Sequence, residues 1–183
     1  MTLLVIADDD SFRQRLDSEP VDVLISCGDL ADEVILETAA AARCARIFAV
    51  KGNHDGAGAF PSPITDLHFN VERHGGLVFG GFNGSWKYKP RGHFLYEQSE
   101  VERMLRSFPA VDVFVAHNSP RGIHDKDDEV HVGFQAFVDY IQRSNPRLFI
   151  HGHQHTDAET QIGETRVVGV YGCRRLEITG RST

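Results

Sequence analysis

The run Leu148-Phe149-Ile150-His151-Gly152-His153-Gln154-His155 begins as a buried strand and ends as a cluster of imidazoles. Its apolar part is short, shows no helical period and stops at a glycine, which is the signature of a strand covered on both faces. The same grammar recurs upstream. Leu3–Ala7 runs into Asp8-Asp9-Asp10, Val21–Ser26 into Gly28-Asp29, Ile47–Val50 into Gly52-Asn53-His54-Asp55, and Val111–Ala116 into His117. Leu77–Phe82 is one more such run, while Arg166–Val170 and Arg175–Ile178 alternate and predict a terminal hairpin on a second sheet. Helical patterns fill the intervals at Ala31–Arg43, Gln98–Ser107 and Phe134–Arg143. The last of these spaces Phe134, Phe137, Val138 and Ile141 along one face. Strands alternating with helices make this an α/β chain, and the antiparallel pieces near its end favour a sandwich of two sheets over one open sheet.

Composition narrows the field. With 183 residues, 41% hydrophobic and 25% charged, the chain suits a single domain over residues 1–183 and excludes a disordered tail or a small disulfide scaffold. Gly56–Pro63 and Asn83–Gly92 read as surface loops within it. No run approaches the ~18 apolar residues of a membrane helix. Met1 leads straight into a strand, so the expectation is a cytoplasmic protein with no cleaved signal and no membrane partner. Cys27, Cys44 and Cys173 form no CxxC pair, which argues for reduced thiols and against a sulfur-ligated zinc. A net charge of −7 disfavours long nucleic acids as partners, since neutralising their phosphates takes clustered Lys and Arg.

Loops at the carboxyl ends of neighbouring strands converge on one edge of a sheet. If the five runs that end in Asp, Asn or His are neighbours, then Asp8, Asp10, Asp29, Asn53, His54, His117, His153 and His155 meet in one cleft. Hard oxygens mixed with imidazoles suit two divalent transition ions better than calcium, which takes oxygen alone, or structural zinc, which prefers thiolate. His153 and His155, two apart in an extended segment, project the same way. Asp29 can offer one oxygen to each ion, Asn53 adds a neutral carbonyl, and His54 need not be a ligand. Taken singly, Asp and Asn at strand ends are ordinary turn formers; five such ends in one chain favour the metal reading.

Asp8-x-Asp10, Gly28-Asp29-Leu30-Ala31-Asp32, Gly52-Asn53-His54-Asp55, Ala116-His117 and Gly152-His153-Gln154-His155 resemble, in order, the five motifs of calcineurin-like metallophosphoesterases. The stretch His117–Asp125 followed by His131-Val132-Gly133 is also similar to a small phosphodiesterase branch of that family. The resemblance implies two mixed β-sheets packed as a sandwich flanked by helices. It implies one metal held by Asp8, Asp29 and His155, with Asp10 joining, and a second held by Asp29, Asn53, His117 and His153. It further implies hydroxide attack on a small phosphodiester such as a cyclic nucleotide, with His54, oriented by Asp55, as general acid. A phosphomonoesterase of the same mechanism is the alternative, as is a weakly catalytic metal-binding scaffold, because some relatives of the fold serve as protein interfaces.

Asp10 departs from the pattern, for the family has His there. A third carboxylate biases the expected pair toward Mn2+ or Fe2+, with Zn2+ and Mg2+ left open. Asp10 also fits as the N-cap of a helix starting at Ser11. Asn118 and Arg121 either touch a substrate phosphate or are ordinary surface. Asp32 is read as a supporting or capping group and His151 as structural. His124 and His131 lie in an acidic loop that is read as solvated by default, with lining of the substrate pocket as the alternative; His68, His74 and His93 are read as surface, and Cys27 as core filler. Assembly as a homodimer is left open.

Overall fold

Alternate residues of the central strands point into different apolar layers, which is why their sequences are apolar without alternating. The structure, a computed structural model, describes residues 1–16 and 19–179. Its first half contains β1 (Thr2–Ala7), β2 (Val23–Ser26), α1 (Asp32–Ala41), β3 (Ile47–Ala49), β4 (Ile64–Asp66), β5 (Val71–His74) and β6 (Leu77–Phe82). There follow β7 (Ser85–Trp86), β8 (Leu95–Tyr96), α2 (Gln98–Leu105), β9 (Val113–Ala116) and α3 (Gln135–Ser144). The chain then adds β10 (Leu148–His151), β11 (Ala158–Ile162), β12 (Thr165–Gly169) and β13 (Gly172–Glu177).

Two mixed sheets result, in the orders β13-β1-β2-β3-β4 and β11-β12-β10-β9-β6-β5. Within them β1 to β4 are parallel, as are β6, β9, β10 and β12, while β13, β5 and β11 pair antiparallel at or near the edges. Leu3, Val5, Val23, Ile25 and Phe48 from one sheet meet Phe79, Val113, Val115 and Ile150 from the other in the layer between them. The opposite faces are covered as well. Leu4, Ile6, Leu24 and Ile47 pack against Val34, Ile35 and Ala39 of α1. Phe114, Phe149 and Val167 pack against Val101 and Leu105 of α2 and Phe137, Tyr140 and Ile141 of α3. Phe114 anchors this outer layer, stacked on Phe149 at 5.1 Å and within 4.6 Å of the Tyr140 ring centre. The expected sandwich flanked by helices is therefore the observed one.

The terminal hairpin is corrected. β12 pairs with β10 and β11 in the second sheet, whereas β13 crosses to the first and runs antiparallel to β1, from Ala7↔Gly172 to Thr2↔Glu177. Gly172, at φ 80°, lies at the crossing, in a backbone region costly for any residue with a Cβ. The hairpin partner of β12 is instead β11, whose exposed middle residues Glu159, Thr160 and Gln161 carry no apolar signal. In α3 the buried face is Ala136, Phe137, Tyr140 and Ile141; Phe134 sits one residue before the helix as its N-cap, and Val138 is only half-buried. The Asn83–Gly92 stretch contributes β7, which pairs in parallel with β8. Among the described residues no helix is long and apolar enough to cross a membrane.

Candidate metal centre

Because β1, β2 and β3 are parallel neighbours in one sheet and β9 and β10 in the other, the loops that follow them open on a common edge. Backbone bonds sew these loops together. The Asp8 N–H donates to Gly28 O at 3.2 Å and the Gly152 N–H to His117 O at 2.9 Å. Between the sheets, the His153 N–H donates to Asp8 Oδ2 at 2.9 Å. Asp8, Asp29, His153 and His155 all hold positive φ, between 48° and 64°. Such conformations cost on the order of 1 kcal/mol or more for a residue with a side chain, and their clustering at one edge is itself a mark of a functional site.

Glycines make the approach possible. A Cβ on Gly52 would lie 2.0 Å from Asp29 Oδ1, and one on Gly152 would lie 2.6 Å from Asp8 Oδ2. Each carboxylate thus occupies room that the glycine of another loop leaves free. Gly52→Ala is accordingly expected to lower the thermal midpoint by several degrees, from an overpacking cost of about 1–3 kcal/mol, and to weaken Mn(II) binding tenfold or more. Calorimetric titration of the folded variant checks this, and unchanged affinity would mean that Asp29 tolerates displacement.

The Asp8, Asp29 and His117 side chains each offer one ligand atom, and these atoms lie within 4.8 Å of one another. Asp8 Oδ1 is buried with no hydrogen-bond partner, and His155 Nε2 stands 3.8 Å from it. His117 is wholly buried, and its Nδ1 lies 2.7 Å from Cys27 O, an atom that can only accept, so Nδ1 carries a proton. Its other nitrogen, Nε2, faces two further acceptors, Asn53 Oδ1 at 3.1 Å and Asp29 Oδ2 at 3.4 Å. Three electron-rich atoms around one point call for a cation, whether a proton or a metal ion. As a proton, the cation is held firmly. Burial opposes the charge on His117, but Asp29 and Asp8 outweigh it and push the imidazole up to about 9. Burial likewise opposes charge on Asp29, yet the His117 charge and hydrogen bond and the His54 N–H hold it at about 2. At Asp8 burial prevails over His117 and the His153 N–H, and the carboxyl rises to about 7. An orphaned buried oxygen, a carbonyl-anchored histidine and a cleared carboxylate are the donor arrangement that a divalent ion fits.

The other predicted residues distribute around this group. His153 is buried, with its ring centre 4.9 Å from that of His117, and burial drives its pKa well below the usual value. His155 is half-exposed, packed at 5.3 Å on Tyr171. His54 is exposed, and its backbone N–H donates to Asp29 Oδ1 at 2.8 Å. Asp10 is exposed and stands outside the Asp8–Asp29–His117 group, at the head of the Ser11–Arg15 3-10 turn, with no capping hydrogen bond from its side chain. Asp55 does not grip His54 through Oδ2, which instead accepts the Asp29 N–H at 3.0 Å and the Gly52 N–H at 2.7 Å, tying two ligand loops. Asn118 is fully buried. Its Nδ2 donates to Val132 O and its Oδ1 accepts the Ser119 N–H, so both ends of the amide are engaged by the main chain of the β9–α3 loop. Arg121 is exposed, and its backbone N–H donates to Phe134 O. Asp32 pairs with the buried Lys51 at 3.2 Å.

One neighbour of the site escaped the sequence reading. Tyr88, in the basic loop taken as surface, accepts a hydrogen bond from Asn53 Nδ2 at 3.3 Å; nothing in its local pattern announces this. His131 packs against both His153 and His155. Of the histidines read as surface, His68 is half-buried and its Nδ1 accepts the Asn83 N–H at 3.0 Å. His151 is structural as expected, its Nδ1 donating to Gly152 O and its Nε2 accepting from His124 at 2.9 Å.

The family model of the calcineurin-like phosphoesterase superfamily domain matches residues 5–172, a span that includes every one of these site residues. The chain belongs to that superfamily. Its members are mostly metal-dependent phosphoesterases. Among solved structures the fold of this calcineurin-like phosphoesterase domain is shared with the TT1561 protein of Thermus thermophilus, at 14% identity over 93% of this chain and 89% of that one, with a TM-score of 0.60. Phosphopantetheinyl hydrolase from Mycobacterium tuberculosis is 16% identical over 100% of this chain and 98% of its own, with a TM-score of 0.58. Wild-type Vps29 complexed with zinc, from Entamoeba histolytica, is 14% identical over 94% and 74%, with a TM-score of 0.52. At these identities the likeness is one of fold. No curated protein sequence matches the chain.

Proposed function

We propose that this calcineurin-like phosphoesterase domain hydrolyses a small phosphodiester with two divalent ions bound at the sheet edge. The observation that carries the reading is the buried, unpartnered Asp8 Oδ1 beside Asp29 and the carbonyl-anchored His117. Asp8, Asp29 and His155 would hold one ion, and Asp29, Asn53, His117 and His153 the other. When bound, two such ions acidify water near neutral pH and offset the negative charge that repels a nucleophile from phosphorus.

The rest is work for the chain. The Cys27 carbonyl fixes the His117 tautomer so that Nε2 faces the cleft. Asp55 Oδ2 locks the Asp29 and Asn53 loops in register through two backbone amides. His54, exposed beside Asn53 and held through its main chain to Asp29, is positioned to protonate a departing alkoxide. Oxygens and imidazoles without thiolate suit Mn2+ or Fe2+, and also admit Zn2+ or Mg2+. The substrate is a small molecule, in keeping with the net charge of −7.

Assay of the Mn(II)-loaded chain on bis-p-nitrophenyl phosphate and p-nitrophenyl phosphate tests this. Faster release from the diester is expected. Faster release from the monoester would make the protein a phosphomonoesterase, and turnover of neither across several metals would make it a binding scaffold.

A further inference from the structure

His131 lies outside every ligand set so far assigned, on the loop between β9 and α3. Its Nδ1 is 2.7 Å from Asp128 Oδ2 and 3.0 Å from Oδ1, and Asp128 Oδ1 also accepts the Val130 and His131 backbone N–H groups. The backbone and ring N–H groups of His131, with that of Val130, hold the Asp128 carboxyl down at about 2. A carboxylate on Nδ1 leaves that nitrogen protonated and turns the Nε2 lone pair outward. Among the described residues Nε2 has no hydrogen-bond partner. The ring nevertheless packs at 5.1 Å from His153 and 5.7 Å from His155, with its side chain 18% exposed. The His131 carbonyl is fixed too, accepting from Gln154 Nε2 at 3.0 Å.

The ring spacings make that placement informative. Imidazoles that share one ion at bond lengths of about 2.0–2.1 Å have ring centres roughly 5 Å apart. The His117–His153 and His131–His153 spacings, 4.9 and 5.1 Å, are alike in this respect. We propose that His131, oriented by Asp128, is an additional metal ligand, brought by the β9–α3 loop to the ion assigned to His153. The proposal rests on the metal reading above and assigns to it a residue and a supporting carboxylate. A ligating histidine normally passes its other N–H to a carboxylate, and removal of such a partner weakens metal binding by about 10–100-fold.

The test is calorimetric titration of the full chain with Mn(II), supported by the visible spectrum of the Co(II)-loaded form. Wild type, His131→Ala, His131→Gln and Asp128→Asn are compared, with thermal midpoints recorded for each. His131→Ala and His131→Gln are expected to weaken one of two Mn(II) sites at least tenfold and to alter the Co(II) absorption bands. Asp128→Asn should weaken the same site less. Unchanged affinity, stoichiometry and spectrum in a folded His131 variant would overturn the assignment while leaving the metal centre intact. Absence of binding in wild type would instead overturn the metal centre itself.

Discussion

Asp29→Ala is expected to leave the chain with fewer than two tightly bound Mn(II) ions and to lower phosphoester hydrolysis by roughly 10³-fold or more. Loss of one transition-state hydrogen-bond donor already costs about 10²–10³ in an enzyme site. Asp29 does more than a single donor. Its Oδ2 faces His117 at 3.4 Å, its Oδ1 accepts the His54 N–H, and its own N–H is held by Asp55. Truncation would therefore remove the side chain proposed to serve both ions and would loosen the loop that carries Asn53 and His54. Asp29→Asn separates these effects. It keeps the shape and an oxygen for the His54 N–H but removes the charge, so near-normal folding with much of the same metal loss is expected. Elemental analysis after dialysis, run beside the rate measurement, decides the matter. Two ions retained by Asp29→Ala would take the carboxylate out of the coordination shell.

That prediction was open from the sequence because strand ends speak clearly. An apolar run stopped by glycine and followed by Asp, Asn or His marks both a buried strand and a residue at its carboxyl edge, and parallel strands bring such edges together. The convergence of Asp8, Asp29, Asn53, His117 and His153 at one sheet edge was legible for that reason, and so was the layered α/β architecture. What stayed hidden depends on contacts that no local pattern encodes. The exposed edge strand β11 is polar, so β12 looked available to pair with β13. Asp55 and Asn118 carry the right chemistry for a cleft, yet the main chain claims them: Asp55 accepts the Gly52 and the distant Asp29 N–H groups, and Asn118 accepts the adjacent Ser119 N–H and donates to Val132 O. A residue's type announces what it can bind, and only the fold decides which partner reaches it first. For His131 an acidic loop reads first as solvated and pocket lining comes second; the Asp128 carboxylate on Nδ1 and the packing of the ring on His153 favour the second.

His54→Ala should cut the rate by about 10²–10⁴ while leaving metal content unchanged. The separation is expected because the bond joining His54 to Asp29 comes from the main chain, which the substitution preserves, while the imidazole itself is exposed and outside the Asp8–Asp29–His117 group. A group that acts only as the leaving oxygen departs should lower kcat with little change in KM. The leaving group sharpens the test. A p-nitrophenolate departs readily without a proton, whereas an alkoxide does not, so the loss should be at the lower end of that range for an aryl diester and at the upper end for an alkyl one. Equal losses for both would mean that the imidazole contacts a non-bridging phosphate oxygen, since that contact is indifferent to the basicity of the departing group. Loss of metal alongside activity would instead make His54 part of the coordination shell, and its exposed ring would then have to turn inward past Asn53 to reach it.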